Sequence, residues 1–155
     1  GIDINYNHNV LFRPSVKKMK YIKGFDTNIL VIVFFPGLDL ESIKEMIQNS
    51  SSKVVVLMTY GSGNIPISDK ITKLIKKQIK KGKIFLNVSQ CKAGRVEQQK
   101  YETGIQLHNL GVLGVYDMTI EAVISKTMLY LHKFPNDVSQ FTTEFLTEKA
   151  GEFSI

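Results

Sequence analysis

The sequence predicts an α/β fold of three layers: a four-stranded, mainly parallel sheet with helices on both faces, flavodoxin- or Rossmann-like. Three observations predict it. Short continuous apolar runs recur at residues 28–35, 54–58, 84–88 and 112–115. Runs of this kind suit strands that are covered on both faces. The segments between them place apolar residues at helical spacing. Strand and helix thus alternate four times, which favours parallel pairing with right-handed crossovers.

Taken in order, residues 1–27 show no sustained period and read as a lead-in, with a short strand near Val10 to Phe12. Asn28 to Phe35 (NILVIVFF) is the first strand, stopped by Pro36-Gly37. Asp39 can cap a helix from Leu40 to about Gln48, with Ile43, Met46 and Ile47 on one face. Asn49 and three serines end it. Val54 to Met58 is the second strand and runs into Thr59-Tyr60-Gly61-Ser62-Gly63-Asn64. Ser68 or Asp69 opens a helix to about Lys81, with Ile71, Leu74, Ile75 and Ile79 inward and Gly82 as its stop. Ile84 to Val88 is the third strand. A weaker helix covers about Gln98 to Asn109, interrupted by Gly104, and Val112 to Val115 is a short fourth strand. Thr119 to His132 is a strong helix with Ile120, Val123, Ile124, Thr127, Met128 and Leu131 on one face. Asn136 to Leu146 is the last helix, with Val138, Phe141 and Phe145 inward.

Composition bounds the function. The 155 residues suffice for one domain; 43% are apolar and 22% charged, as in globular proteins rather than disordered or fibrous ones. One cysteine, Cys91, excludes an internal disulfide framework and a multi-cysteine zinc site. The longest apolar run, Ile29 to Phe35, is about a third of a membrane span. The net charge is +6, but only Arg13 and Arg95 are arginine. Readers of bases and phosphates favour the arginine fork, so nucleic acid is disfavoured as a partner.

In open parallel sheets, ligands sit beyond the carboxyl ends of the strands. Those ends are Pro36-Gly37, Thr59 to Asn64, Gln90 to Gly94 and Tyr116-Asp117. Gly61-Ser62-Gly63-Asn64 is not a dinucleotide fingerprint, because the third glycine is Pro66, and it is not a P-loop, because no Gly-Lys-Ser/Thr follows. It is not a nucleophile elbow either, since Tyr60 stands where glycine is needed. A flexible turn and a ligand loop remain open for it. Lys92 and Arg95 could lower the pKa of Cys91, but His8, His108 and His132 are too scattered to activate a nucleophile or bind a metal. Lys70, Lys73, Lys76, Lys77, Lys80, Lys81 and Lys83 form the most basic stretch, mostly opposite the apolar stripe, as a solvated helix face would. Thr119 and Glu121 make a good helix start.

Taken together and in order, these loops resemble the C-terminal domain of the bacterial cytoplasmic (type I) L-asparaginases. The stretches that carry the resemblance begin with Phe35-Pro36-Gly37, Thr59 to Pro66, Asn87 to Cys91 and Gly94-Arg95-Val96. Tyr101-Glu102-Thr103-Gly104, Gly111-Val112, Asp117-Met118-Thr119, Glu121-Ala122, Ser125-Lys126 and the closing Gly151-Glu152-Phe153 follow. The resemblance runs from about Asp26 to the end. It implies that 1–27 is a linker from an N-terminal catalytic domain and that 28–155 is the C-terminal α/β domain.

That family's catalytic threonines lie in its larger N-terminal domain, near Thr-Gly-Gly-Thr and Gly-Thr-Asp-Thr motifs, and neither motif occurs here. The resemblance therefore implies a domain without a catalytic residue of its own. The intact protein would be a cytoplasmic amidohydrolase acting on L-asparagine without metal or cofactor. This domain would form the subunit interface of a homodimer or dimer of dimers. Asn64, with Gly63 beside it, would be lent to a neighbouring active site to help hold the substrate's amino end. Some members bind asparagine at a regulatory site whose loop matches Tyr60 and Cys91. The arginine they place two residues before the Tyr-Gly is Met58 here, so an effector carboxylate would lose a bidentate partner. Two other readings stand beside this one: the matching domain of the D subunit of glutamyl-tRNA amidotransferase, and a non-catalytic flavodoxin-like binding or assembly module.

Overall fold

The computed structural model describes residues 21–66, 68–91 and 94–154. The strand expected near Val10 to Phe12 and the side chain of Lys92 lie outside these residues. The element order is β1 (Ile29–Val33), α1 (Leu40–Asn49), β2 (Val54–Thr59), α2 (Asp69–Lys80), β3 (Ile84–Ser89), α3 (Glu102–Leu110), β4 (Leu113–Gly114), α4 (Ile120–Lys133) and α5 (Val138–Phe145).

The four strands pair in the order β1-β2-β3-β4, and every pairing is parallel. A sequential order with crossovers of one hand must place α1, α2 and α3 on the same face. The other face is left to α4 and α5. The core divides accordingly. Val55, Leu57 and Phe85 pack with Ile43, Ile47, Ile71, Leu74, Ile75 and Leu107 on one side. Val54, Val56, Leu86 and Val88 pack with Val123, Leu131, Phe141 and Phe145 on the other. Consecutive strand residues therefore feed opposite cores, which is why the apolar runs are continuous.

The helix starts follow local chemistry. Asp39 accepts the amides of Glu41 and Ser42, Ser68 that of Ile71, Thr119 that of Ala122, and Asp137 that of Gln140. The Ser42 hydroxyl and the same two amides hold the Asp39 carboxyl below its usual range. Gly82, at φ +88°, stops the second helix as expected. Lys83 does not join the solvated face; its ammonium donates to the Ser50 carbonyl at 2.8 Å, beyond the end of α1. Burial lowers its pKa. Lys73, Lys76, Lys77, Lys80 and Lys81 are on the solvent side of α2, as a solvated face requires.

Several details differ from the expectation. Met46, expected on one face with the buried Ile43 and Ile47, is 44% exposed. α3 starts at Glu102 rather than Gln98, because the chain at Gln98 crosses the helix instead of entering it. A Cβ on Gly104 would stand 2.5 Å from the Gln98 carbonyl oxygen. Gly104 thus lies inside the helix as a point of close approach, not as an interruption. β4 keeps only two residues, bounded by left-handed Gly111 (φ +93°) and Tyr116 (φ +59°). Val138 is 43% exposed, at the first turn of α5, and only Phe141 and Phe145 reach the core.

Both ends of the described chain are tied down. The amide of Asp26 donates to the Met128 carbonyl at 3.0 Å, and its carboxylate pairs with Lys53 at 3.0 Å. After α5 the chain returns to the sheet. Phe153 stacks on Tyr116 with ring centroids 4.8 Å apart. Glu152 pairs with the buried Lys126, whose ammonium also donates to the Thr147 carbonyl at 2.9 Å and faces the Phe153 ring at 4.9 Å. A lysine tolerates such burial only when paired in this way.

Candidate functional site

The carboxyl edge of the sheet gathers the loops after all four strands. The key one is the turn after β2. The Tyr60 carbonyl accepts the amides of Gly63 and Asn64, both at 2.9 Å, and the Tyr60 amide donates back to the Asn64 carbonyl at 2.9 Å. Gly63 adopts φ +109°, and a Cβ there would stand 2.9 Å from both Asn87 Nδ2 and Val96 Cγ1. Only glycine meets both conditions.

The end of β3 holds this turn in place. Asn87 is fully buried. Its Nδ2 donates to the Gly63 carbonyl at 3.0 Å, and its Oδ1 accepts the Thr59 hydroxyl at 2.7 Å. The Ser89 hydroxyl donates to the Gly61 carbonyl at 2.5 Å. Gln90 Nε2 donates to the Phe34 and Met58 carbonyls at 2.7 and 2.9 Å, joining the ends of β1 and β2. From the Val96 segment, the Glu97 amide donates to the Ser62 carbonyl at 2.9 Å. Sequence reasoning assigned no role to Asn87. Its one signal was an amide in the middle of the apolar run Ile84-Phe85-Leu86-Asn87-Val88.

Asn64 is half-buried on the rim of the turn. Its Oδ1 accepts the Thr103 hydroxyl from the first turn of α3 at 2.7 Å, and its Nδ2 lies 3.4 Å from the Ser62 hydroxyl. It does not cap α2, since Ser68 does that. The side chain is held without being enclosed. Such an amide, on a braced turn at the ligand-binding edge, can offer hydrogen bonds to a polar group arriving from outside.

A second feature lies beside this turn, where the end of β3 meets the start of α4. A groove of about 450 Å³ is lined by Met58, Ser89, Gln90, Cys91 and Gly94, and by residues 117–121 at the start of α4. Cys91 is exposed there. Tyr60 does not line this groove and packs against the core shared by α1 and α2. Both residues follow paired strands at this edge, Thr59 standing opposite Ser89 in the β2–β3 register. Arg95, expected near Cys91, lays its guanidinium over the Tyr116 ring at 5.3 Å. Asp117 accepts the amide of Ser154 at 2.7 Å, which joins the C-terminal segment to the groove wall.

Residues 28–145 match the family model of the glutaminase/asparaginase C-terminal domain. The chain belongs to this family. As an asparaginase C-terminal domain it is 34% identical to an L-asparaginase of Dirofilaria immitis over 85% of its own length and 22% of that protein. It is 30% identical to the D subunit of the glutamyl-tRNA(Gln) amidotransferase of Saccharolobus solfataricus, over 84% of this chain and 29% of that one. The crystal structure of L-asparaginase I from Vibrio cholerae superposes with a TM-score of 0.75 and 29% identity, over 84% of this chain and 39% of that one. The chain thus spans well under half the length of each relative. The asparaginase C-terminal fold expected from the ordered loops is the one observed, and the relation extends to the amidotransferase. No described helix is long and apolar enough to cross a membrane.

Proposed function

We propose that this chain is the C-terminal domain of a cytoplasmic L-asparaginase. Intact, such a protein hydrolyses L-asparagine to L-aspartate and ammonia, using threonine nucleophiles of an N-terminal domain. The domain forms the interface of a homodimer or dimer of dimers and presents Asn64 to a neighbouring active site, with Gly63 giving the turn its shape. The observation that carries this reading is the braced turn itself. A fully buried amide, Asn87, and the Ser89 hydroxyl hold the backbone on which Asn64 stands. A turn that served only as a connection would not need this support.

Two measurements test it. The purified 155-residue chain should release no ammonia from asparagine, because neither threonine motif is present. Ammonia release above a no-protein control would defeat that. In the intact protein, Asn64→Ala should lower kcat/KM about ten- to a hundred-fold, the size of one lost hydrogen bond to a charged group. Its unfolding midpoint should stay unchanged. A lowered midpoint with unchanged kinetics would make Asn64 a structural residue.

A second reading follows from the relation to the D subunit of the amidotransferase. The net charge of +6 leans the same way, although the scarcity of arginine weighs against nucleic acid. Ammonia delivered to tRNA-bound glutamate by the intact protein and its amidotransferase partner, rather than released, would favour it.

A further inference from the structure

At β4, the edge strand of the sheet, a groove of about 680 Å³ is lined by the strand, by the loop 95–100 and by Leu146 just past α5. Val112, Leu113 and Leu146 give it apolar walls. It shares no lining residue with the groove at Cys91. Two of its polar side chains lack polar partners. Arg95 is the only arginine among the described residues. Its guanidinium lies over the Tyr116 ring at 5.3 Å and makes no ion pair or hydrogen bond among them. Gln98 is 7% exposed, and its Nε2 is buried with no partner among the described residues.

Both side chains stand on a braced loop. The Val96 amide donates to the Tyr116 carbonyl at 2.8 Å, and the Glu97 amide to the Ser62 carbonyl at 2.9 Å. Two glycines make room for Gln98. A Cβ on Gly104 would stand 2.5 Å from its carbonyl oxygen, and one on Gly114 would stand 2.9 Å from its Oε1. A seat this close suits an apolar side chain of the same length, yet it holds an amide. A buried amide without a partner is costly, and each such group calls for a cause.

We infer that this groove binds a small monocarboxylate with an apolar body, whose carboxylate is held by Arg95 and Gln98. The guanidinium fork takes a carboxylate through two parallel hydrogen bonds, and stacking on Tyr116 fixes its plane beforehand. No hydrogen bond holds the Gln98 amide one way round, and its last torsion is roughly two-fold. A half-turn brings its N–H donors to the place of Oε1, beside Gly114 of the groove. The apolar body lies against Val112, Leu113 and Leu146. Phosphate suits the groove less. Glu97 stands in it, paired with Lys100 at 3.4 Å, and α3 ends two residues before Val112 with the negative end of its dipole.

A titration of the nitrogen-15-labelled 155-residue chain with sodium 4-methylpentanoate tests this, read by NMR against sodium chloride at equal ionic strength. The readout is binding, so it does not depend on the proposed function. The Gln98 side-chain amide signals and the Arg95 Nε–H signal should shift and saturate at roughly millimolar ligand, as expected for so small a molecule. The uncharged 4-methylpentanamide should bind about tenfold more weakly or worse, because it cannot form the charge-assisted pair. Arg95→Lys keeps the charge without the fork and should weaken binding about five- to tenfold. Gln98→Met keeps the length without the amide and should weaken it about three- to tenfold, with the unfolding midpoint not lowered. Shifts that fail to saturate, or that sodium chloride reproduces, would overturn the site. Equal binding of the neutral amide or of inorganic phosphate would overturn the carboxylate assignment. A lowered midpoint in Gln98→Met with an unchanged titration would make Gln98 structural and defeat its role. Should Gln98→Met not fold, the Gln98 amide signals of the parent and the Arg95→Lys titration decide the matter alone.

Discussion

Asn87 is the residue on which the site's geometry converges. Its amide joins Thr59 at the end of β2 to Gly63 in the turn, and all its bonds are made away from water. Asn87→Leu fits the apolar run around it, so by propensity it should be harmless or helpful. The hydrogen bonds decide the opposite sign. The buried Gly63 carbonyl would lose its donor, which costs about 1–3 kcal/mol. The Thr59 hydroxyl would keep only the Val88 carbonyl, at 3.1 Å. Chemical denaturation should show that loss, and the intact protein should also lose asparagine affinity as the turn loosens. An unchanged midpoint would mean that the turn is held by Ser89 and its backbone bonds alone. The sequence displayed Asn87 as an anomaly in a strand, but its partner Gly63 lies 24 positions away.

At the scale of elements, α3 shows how packing overrules propensity. Glycine inside a helix costs roughly 0.5–1 kcal/mol relative to alanine, so Gly104→Ala should stabilise an isolated helix. Here the new methyl would meet the Gln98 carbonyl oxygen at 2.5 Å and the Gln98 Cα at 3.0 Å. These are backbone atoms that cannot rotate away, so the segment at 98 must move. We expect Gly104→Ala to destabilise by about 1–3 kcal/mol, the usual cost of overpacking. A raised melting temperature would show that the 98–101 segment yields freely. Three other helices carry their starts in local chemistry: Asp39, Ser68 and Thr119 were readable as caps, whereas the last helix, expected from Asn136, starts at Val138 behind Asp137, and the start of α3 was not readable. No side chain caps it, and the chain that crosses it sets its first turn.

At the scale of the molecule, the C-terminal segment closes the fold. The Glu152–Lys126 pair, Phe153 on Tyr116 and the Ser154 amide on Asp117 join the last residues to α4 and to the β4–α4 connection. Burial pushes the Glu152 carboxyl up, but the Lys126 ammonium and the amides of Ala150 and Lys149 outweigh it and hold the pKa below the ordinary 4.5. The stability from this pair is thus fully present above about pH 4.5, where an unfolded glutamate is ionised. It is lost as the pH falls through the lower, folded value. Glu152→Gln should therefore cost about 2 kcal/mol at neutral pH, the worth of hydrogen bonds to a charged group. The gap to the parent should narrow as the pH falls below 4.5. A constant gap across acid pH in unfolding titrations would assign the role of Glu152 to shape alone.

The sequence by itself determined the layer architecture, the parallel strands, three of the helix starts and the family. These depend on periods of two and 3.6 residues, on caps within three positions, and on loop motifs in a given order. The resemblance to the asparaginases also singled out Asn64, which stands on the turn after β2. It could not show that the strand order is sequential, which leaves α4 and α5 to cover one face by themselves. Nor could it show that Lys126 is buried or that Thr103 grips Asn64. Those facts depend on partners far apart in the chain: 39 positions for Thr103 and Asn64, 26 for Lys126 and Glu152. A local pattern records which face of an element turns inward. What meets that face is decided by how the elements stack, and only the tertiary structure contains it.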